Sequence, residues 1–194
     1  MSTKESAKSQ DFINMAVEKA QGTREGARAH GVFHFECFDS EGNLKWSQDI
    51  PNLVVNVGLQ DMNTQYFKGS SYTAAWYIGL YGAGASNAPA AGDTSASHAG
   101  WTEVTAYSQA TRVAVTFGTA TTADPSVISN SASPAAFTIN GTTTVGGAFL
   151  ISNSTKGGTT GILFSASDNQ SPGDRSVILN DTVNVTYTFN LDAA

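Results

Sequence analysis

Residues 182–191, Thr-Val-Asn-Val-Thr-Tyr-Thr-Phe-Asn-Leu, alternate polar and apolar without a break. Successive side chains of a β-strand leave on opposite faces, so this order predicts a strand with one continuous apolar surface. Val183, Val185, Tyr187, Phe189 and Leu191 take the inner face, and Thr182, Asn184, Thr186, Thr188 and Asn190 the outer one. The same period governs 31–38, with Phe33, Phe35 and Cys37 on one side and His34 and Glu36 on the other. Asp39-Ser40-Glu41-Gly42-Asn43 then reads as a turn, and Leu44, Trp46 and Ser47 open the return strand of a hairpin. Shorter strands are expected over 75–81, 112–118, 126–129, 135–140, 143–152 and 161–167, separated by Gly, Asn, Asp and Ser. The fold predicted is mainly β: a β-sandwich, jelly-roll or Ig-like, with an N-terminal helix and one further short helix.

The N-terminal helix is predicted over 4–21. Phe12, Ile13, Ala16, Val17 and Ala20 form a narrow stripe ringed by Lys4, Glu5, Lys8, Asp11, Glu18 and Lys19. A helix this short is marginal alone and needs a surface to lie on, its own β domain or a neighbouring chain. Gly22 opens a polar connector, so the chain divides into a helical arm and connector, 1–30, and a β-sandwich domain, 31–194. The second helix is predicted with Asn52 as its cap, through Val55, Leu59, Met62 and Tyr66, ending before Gly69. Charge changes further along, near Pro51: fourteen of the twenty-six charged residues lie in the first fifty positions. Strands so poor in Lys and Glu have little to discourage edge and face association, which points to coverage by neighbours and to a homo-oligomer.

Several function classes are excluded by composition. With a net charge of −6 and scattered basic residues, no footprint for direct nucleic-acid binding exists. A single cysteine, Cys37, leaves no intrachain disulfide or thiolate metal site. The polar opening MSTKESAKSQDF and the lack of a long apolar run predict manufacture in a cytoplasm, with no membrane partner. His30, His34 and His98 fit no metal-binding spacing, no GxSxG elbow is present, and the glycines at 79, 82 and 84 lack the helix and Lys of a phosphate loop. The carboxylates Asp61, Asp93, Glu103, Asp124, Asp168 and Asp174 fall in turns or loops with no cleft implied. No catalytic residue and no cofactor is therefore expected. Oxygen ligands for calcium are conceivable at Asp39, Glu41 and Asn43, or at Asp168 and Asp174, but the first loop lacks the terminal bidentate Glu and reads better as a plain turn. Among the aromatic residues, Trp76, Tyr77, Tyr81, Trp101 and Tyr107 divide between core or interface and a ligand platform.

The order Gly42-Asn43-Leu44-Lys45-Trp46, Asn52-Leu53-Val54-Val55-Asn56-Val57-Gly58-Leu59 and Trp76-Tyr77-Ile78-Gly79-Leu80 resembles a family of small structural proteins of tailed bacteriophages. Gly92-Asp93-Thr94, His98 to Glu103, Arg112, Asn130-Ser131-Ala132-Ser133, Gly146 to Leu150 and Asp181 to Thr186 continue the likeness over about residues 31–191. The resemblance implies a virion component without catalytic residues. The expected role is a capsid decoration or cement protein clamping major capsid subunits. A neck, tail or fibre-attachment adaptor and a carbohydrate-binding module are the alternatives. Phe12, Ile13 and Val17 are the expected docking anchors for the major capsid protein or another virion protein, with Trp76 and Trp101 as further partner contacts.

Overall fold

Strand β1 (Ala27–Phe38) runs antiparallel between β2 (Leu44–Val54) and β12 (Thr182–Ala193), the longest strands among the described residues. The structure is a computed structural model that describes residues 26–69, 75–82, 89–167 and 174–193. The helix expected over 4–21, with Phe12, Ile13 and Val17, lies outside the described residues. Between the long strands come β3 (Tyr77–Tyr81), β4 (Glu103–Val104), β5 (Val113–Ala114), β6 (Ser126–Ser129), β7 (Ala135–Thr138), β8 (Thr143–Val145), β9 (Gly147–Ile151), β10 (Leu163–Ser167) and β11 (Arg175–Val177). The main sheet has the order β4-β3-β9-β10-β2-β1-β12-β6, with β5 attached to β3 and β7 to β12, while β8 and β11 pair separately. Every pairing is antiparallel, and the sheet curls into a half-barrel. The protein is mainly β, with one α-helix among the described residues.

The curl turns on β2. Its residues up to Pro51 pair with β1, whereas Asn52, Leu53 and Val54 pair with β10. Proline has no N–H to offer a ladder, so the point where pairing with β1 stops is also where the strand changes partner. Inside the curl lie Phe33, Phe35 and Cys37 of β1, Ile50 of β2, Ile78 and Leu80 of β3, Leu150 of β9 and Val183, Val185 and Tyr187 of β12, all buried. The alternation predicted for β1 and β12 is the alternation observed, as far as Tyr187. Beyond it, Phe189 is only partly buried and Leu191 is 40% exposed, so the inner face runs out of core before the strand ends.

Two expectations are corrected locally. Asn52 does not cap a helix: β2 continues to Val54, Val55 is the N-cap, and α1 spans Asn56–Asn63 before a π-helical turn, Thr64–Lys68, that ends at Gly69. Asn52 instead donates through Nδ2 to the Tyr187 hydroxyl at 2.8 Å. The strand expected over 112–118 is regular only at Val113 and Ala114. From there the chain leaves the β3 edge and crosses to the β6 edge. Val115 N–H donates to the Trp76 carbonyl (2.8 Å), Gly118 N–H to Ser129 (2.9 Å) and Thr121 N–H to Val127 (2.9 Å). This crossing segment straps together the two open edges of the curl. Period-two reading could not find it, because its bonds serve two different partners in turn.

A second core lies on the outer face of β3, β9 and β10, where Tyr81, Phe149, Ile151, Leu163 and Ala166 pack with Val55 and Trp101. Gly79 sits beneath the Phe149 ring, which occupies the space a Cβ would need, so this pair requires glycine.

Candidate functional site: an apolar mouth and its aromatic rim

Alternation, a glycine contact and a strand crossing together produce one open feature. Helix α1 is seated on β10 at Gly58, where a Cβ would run into the Phe164 backbone carbonyl. The same carbonyl accepts from Val55 N–H at 3.1 Å. That close seat brings Met62, Asp61 and Gln65 over the inner end of β10, while the crossing segment brings Phe117 opposite them. Between these walls opens a cavity of about 370 Å³, floored by Leu150, Phe164 and Tyr187 and flanked by Trp76, Ile128 and Phe189. Its aromatic residues brace one another edge to face. Trp76 and Phe164 lie 5.4 Å apart between ring centroids, Phe164 and Phe189 5.5 Å, and Phe117 and Tyr187 6.2 Å.

The floor is rigid because its polar atoms are held. The Tyr187 hydroxyl accepts from Asn52 and from Ser165 Oγ at 3.1 Å, and burial pushes its ionisation well above the usual tyrosine range. Asn130 fills the gap on β12 between the stretches paired with β6 and β7. Its Oδ1 accepts from Tyr187 N–H at 2.6 Å, and its own N–H donates to the Tyr187 carbonyl at 3.3 Å. Asp61 is the charged residue of the lining: it is 8% exposed, and its Oδ1 accepts from Gln65 Nε2 at 3.2 Å.

Beside the mouth, the π-helical turn carries Tyr66 and Phe67, 84% and 77% exposed, with rings 5.0 Å apart and nearly perpendicular. Leu59 on α1 is exposed as well. Two large neighbouring aromatic side chains in water form an apolar ridge that no other described residue covers. Tyr66 is the last apolar position of the helix expected to end before Gly69; the widening of the last turn is the feature that periodicity could not supply.

The residues singled out from sequence are dispersed. Trp76 lines the mouth, half-buried. Trp101 is buried in the second core and touches Tyr81, Phe149 and His98, while its Nε1 donates to Asp93 Oδ2 at 2.9 Å. In the folded chain its indole is committed to packing and to one buried acceptor, which is the core side of the division expected for these aromatic residues. His98 stacks on Trp101 and faces its carbonyl, and His34 pairs with Asp49 on the outer face of the sheet. In the 39–43 turn, the Asn43 side-chain amide, and then the N–H groups of Asn43 and Glu41, donate to the Asp39 carboxylate, which holds it below the ordinary range and turns it toward the loop's own amides. Asp168 lies outside the described residues, and no group of three or more His, Cys, Asp or Glu suited to a metal occurs among the described ones.

Cys37 is buried near Asp181, and burial together with that carboxylate pushes its thiol up to about 11. Arg112 and Glu103 form a buried bidentate pair at 2.9 and 2.7 Å. The guanidinium also donates to the Asn153 and Gly158 carbonyls, and Gly157 N–H donates to Glu103. Arg112 also lies 5.2 Å from the centre of the Phe149 ring. With its donors so fully used, this pair locks the loops over the second core and leaves no group aimed at a ligand.

No family model, curated protein or solved structure matches the chain. The geometry therefore carries the functional reading.

Proposed function

We propose that this protein is a non-enzymatic structural component of a virion, a decoration or cement protein that seats on major capsid subunits through the Tyr66–Phe67 ridge. The observation that carries the reading is the exposure of those two rings on a turn fixed between α1 and Gly69. Aromatic side chains with few rotatable bonds make effective anchors, because little freedom is lost when they are buried by a partner. The sequence likeness to phage structural proteins supplies the kind of partner. Repetition supplies the strength, since many modest contacts on one lattice act together. The two halves of the curled sheet, joined through β2, are read as the leaves of a sandwich with one corner closed.

The test is incorporation. Tyr66→Ser with Phe67→Ser should leave the β spectrum and melting of the free protein nearly unchanged and should lower its abundance in purified particles at least tenfold. Unchanged abundance would remove the ridge from the interface. Copy number, measured by quantitative mass spectrometry against the major capsid protein, separates a cement protein from a neck or tail adaptor. The first should approach stoichiometry with the capsid subunit, and the second should fall far below it.

A further inference from the structure

We propose that the apolar mouth is the docking site for the chain's own N-terminal segment, residues 4–21, with Phe12, Ile13 and Val17 entering the cavity. This proposal concerns the cavity, not the Tyr66–Phe67 ridge, and stands or falls separately from the particle reading.

Three observations select that occupant. The first is position. Strand β1 begins at Ala27, and its fifth residue, Gly31, pairs with Phe189 on the cavity wall. At about 3.3 Å per residue, the preceding chain starts about 13 Å along the strand from that wall. Residues 22–26, connecting the segment to β1, can extend over roughly 16 Å. A segment tethered so near is present at a high effective concentration, an advantage that a separate chain does not have.

The second is shape and polarity. The cavity has room for several apolar side chains, and its wall residues Met62, Trp76, Phe117 and Phe189 remain only partly buried although each packs against the main core. A helix over 4–21 would place Phe12, Ile13 and Val17 together, with Ala16 and Ala20 small enough to let its backbone lie close. The stripe that is too narrow to stabilise a lone helix matches a cavity rather than a broad face.

The third is charge. Asp61, buried to more than nine-tenths in this mostly apolar lining, accepts a side-chain hydrogen bond from neutral Gln65 beside it. On a helical projection Lys8 and Lys19 flank the Phe12 side of the stripe, so docking brings an ammonium to the lining that holds this carboxylate.

The experiment uses the full chain with Ile13→Cys and Ile128→Cys, oxidised gently at neutral pH. Cys37 stays out of the reaction because it is buried and its thiol ionises only in strongly alkaline solution. The expected product is a monomer with an intrachain disulfide, formed at least tenfold faster than in a control pairing Ile13→Cys with Leu179→Cys, whose side chain is exposed outside the cavity. A second full-length variant, Phe12→Asp with Val17→Asp, should bind several-fold more of an environment-sensitive apolar dye with an unchanged β spectrum. Adding Asp61→Asn to the cysteine pair should slow cross-linking and reduce its salt dependence. Equal rates for the two cysteine pairs, or a product linked between chains, would overturn the proposal, as would unchanged dye binding by the aspartate variant.

Discussion

The two halves of the curled sheet solve the same burial problem differently. In the half formed by β1, β12 and the first part of β2, one face is core and the other is half-exposed, so Phe33, Phe35 and Cys37 alternate with Val32, His34 and Glu36. In the half formed by β3, β9 and β10 both faces are covered, and β9 and β10 are buried at every position. The cover on that second face is loop, and loop backbone carries polar groups that a sheet would have paired internally. This explains where Asp93, Ser95 and Arg112 are found: each is buried in or beside the cover, and each is hydrogen-bonded. Ser95 Oγ, for example, bonds to the Thr159 and Gly161 carbonyls at 3.0 and 2.8 Å. A sheet face covered by another part of the sheet needs hydrophobic residues; one covered by loops needs a polar network as well.

The strongest way to break this comparison is to remove the lock of the cover. Arg112→Ala leaves Glu103 buried without its cation and should destabilise the protein by about 3–5 kcal/mol, measured by denaturant unfolding. If the cover is a separable layer, Trp101 fluorescence should change at lower denaturant than the β spectrum. Coincident transitions would show that the two halves unfold as one unit.

Paired aromatic truncations sharpen the same contrast. Phe149 is buried between Gly79, Trp101 and Arg112, and Phe149→Ala should cost about 3–5 kcal/mol. Phe189, on the wall of the mouth, is already partly in water, and Phe189→Ala should cost only about 1–2 kcal/mol because less area is lost. Equal losses would mean that something fills the mouth in solution, so this pair also bears on the docking of residues 4–21.

Legibility from sequence divides along the same line. The half with one wet face was largely readable: β6 was found at its observed bounds, β12 differed only at its C-terminal end, and the hairpin turn held through Asp39, but residues 27–30, assigned to the connector, open β1, and the end of β2 was assigned to a helix. The doubly covered half was readable as strands, but not as doubly covered. A run such as Gly147–Ile151 has no polar alternation and does not say what lies on either side. The place of Trp101 within the core was not legible for the same reason, since its partners Asp93, Tyr81 and Phe149 meet only in the fold. The mouth was less legible still. It depends on the Gly58 seat, on the π-helical turn and on a segment crossing from β3 to β6, none of which leaves a periodic signature.

Cys37 tests the inner face by pH. A thiol raised to about 11 in the folded chain, against 9.0 for its ordinary value, keeps its proton after the unfolded chain has lost it. The unfolded state then binds fewer protons, so stability is complete below about pH 9 and falls as pH rises toward 11. Between pH 8 and 10 the loss assigned to this group should be about 1–2 kcal/mol, taken as the difference in slope between the protein and Cys37→Ala. Identical slopes would place the thiol in contact with water. The native protein should also be unreactive to thiol reagents at pH 8 until it is unfolded.

The smallest expected effect lies on the wet face. His34 Nδ1 lies 2.6 Å from Asp49 Oδ1 between the first two strands, with the side chains 40% and 70% exposed, and Glu36 is 4.0 Å from the other ring nitrogen. Solvent and salt screen such groups, and holding them together uses up side-chain freedom, so Asp49→Asn should change stability by less than about 1 kcal/mol. The change should shrink further when the ionic strength is raised to 1 M, and crossing it with His34→Gln should show a coupling of a few tenths of a kcal/mol. A coupling several times larger, unaffected by salt, would mean that this face is not open to water in solution and is covered as the other half is. The distinction between the two halves would then hold for an isolated chain only.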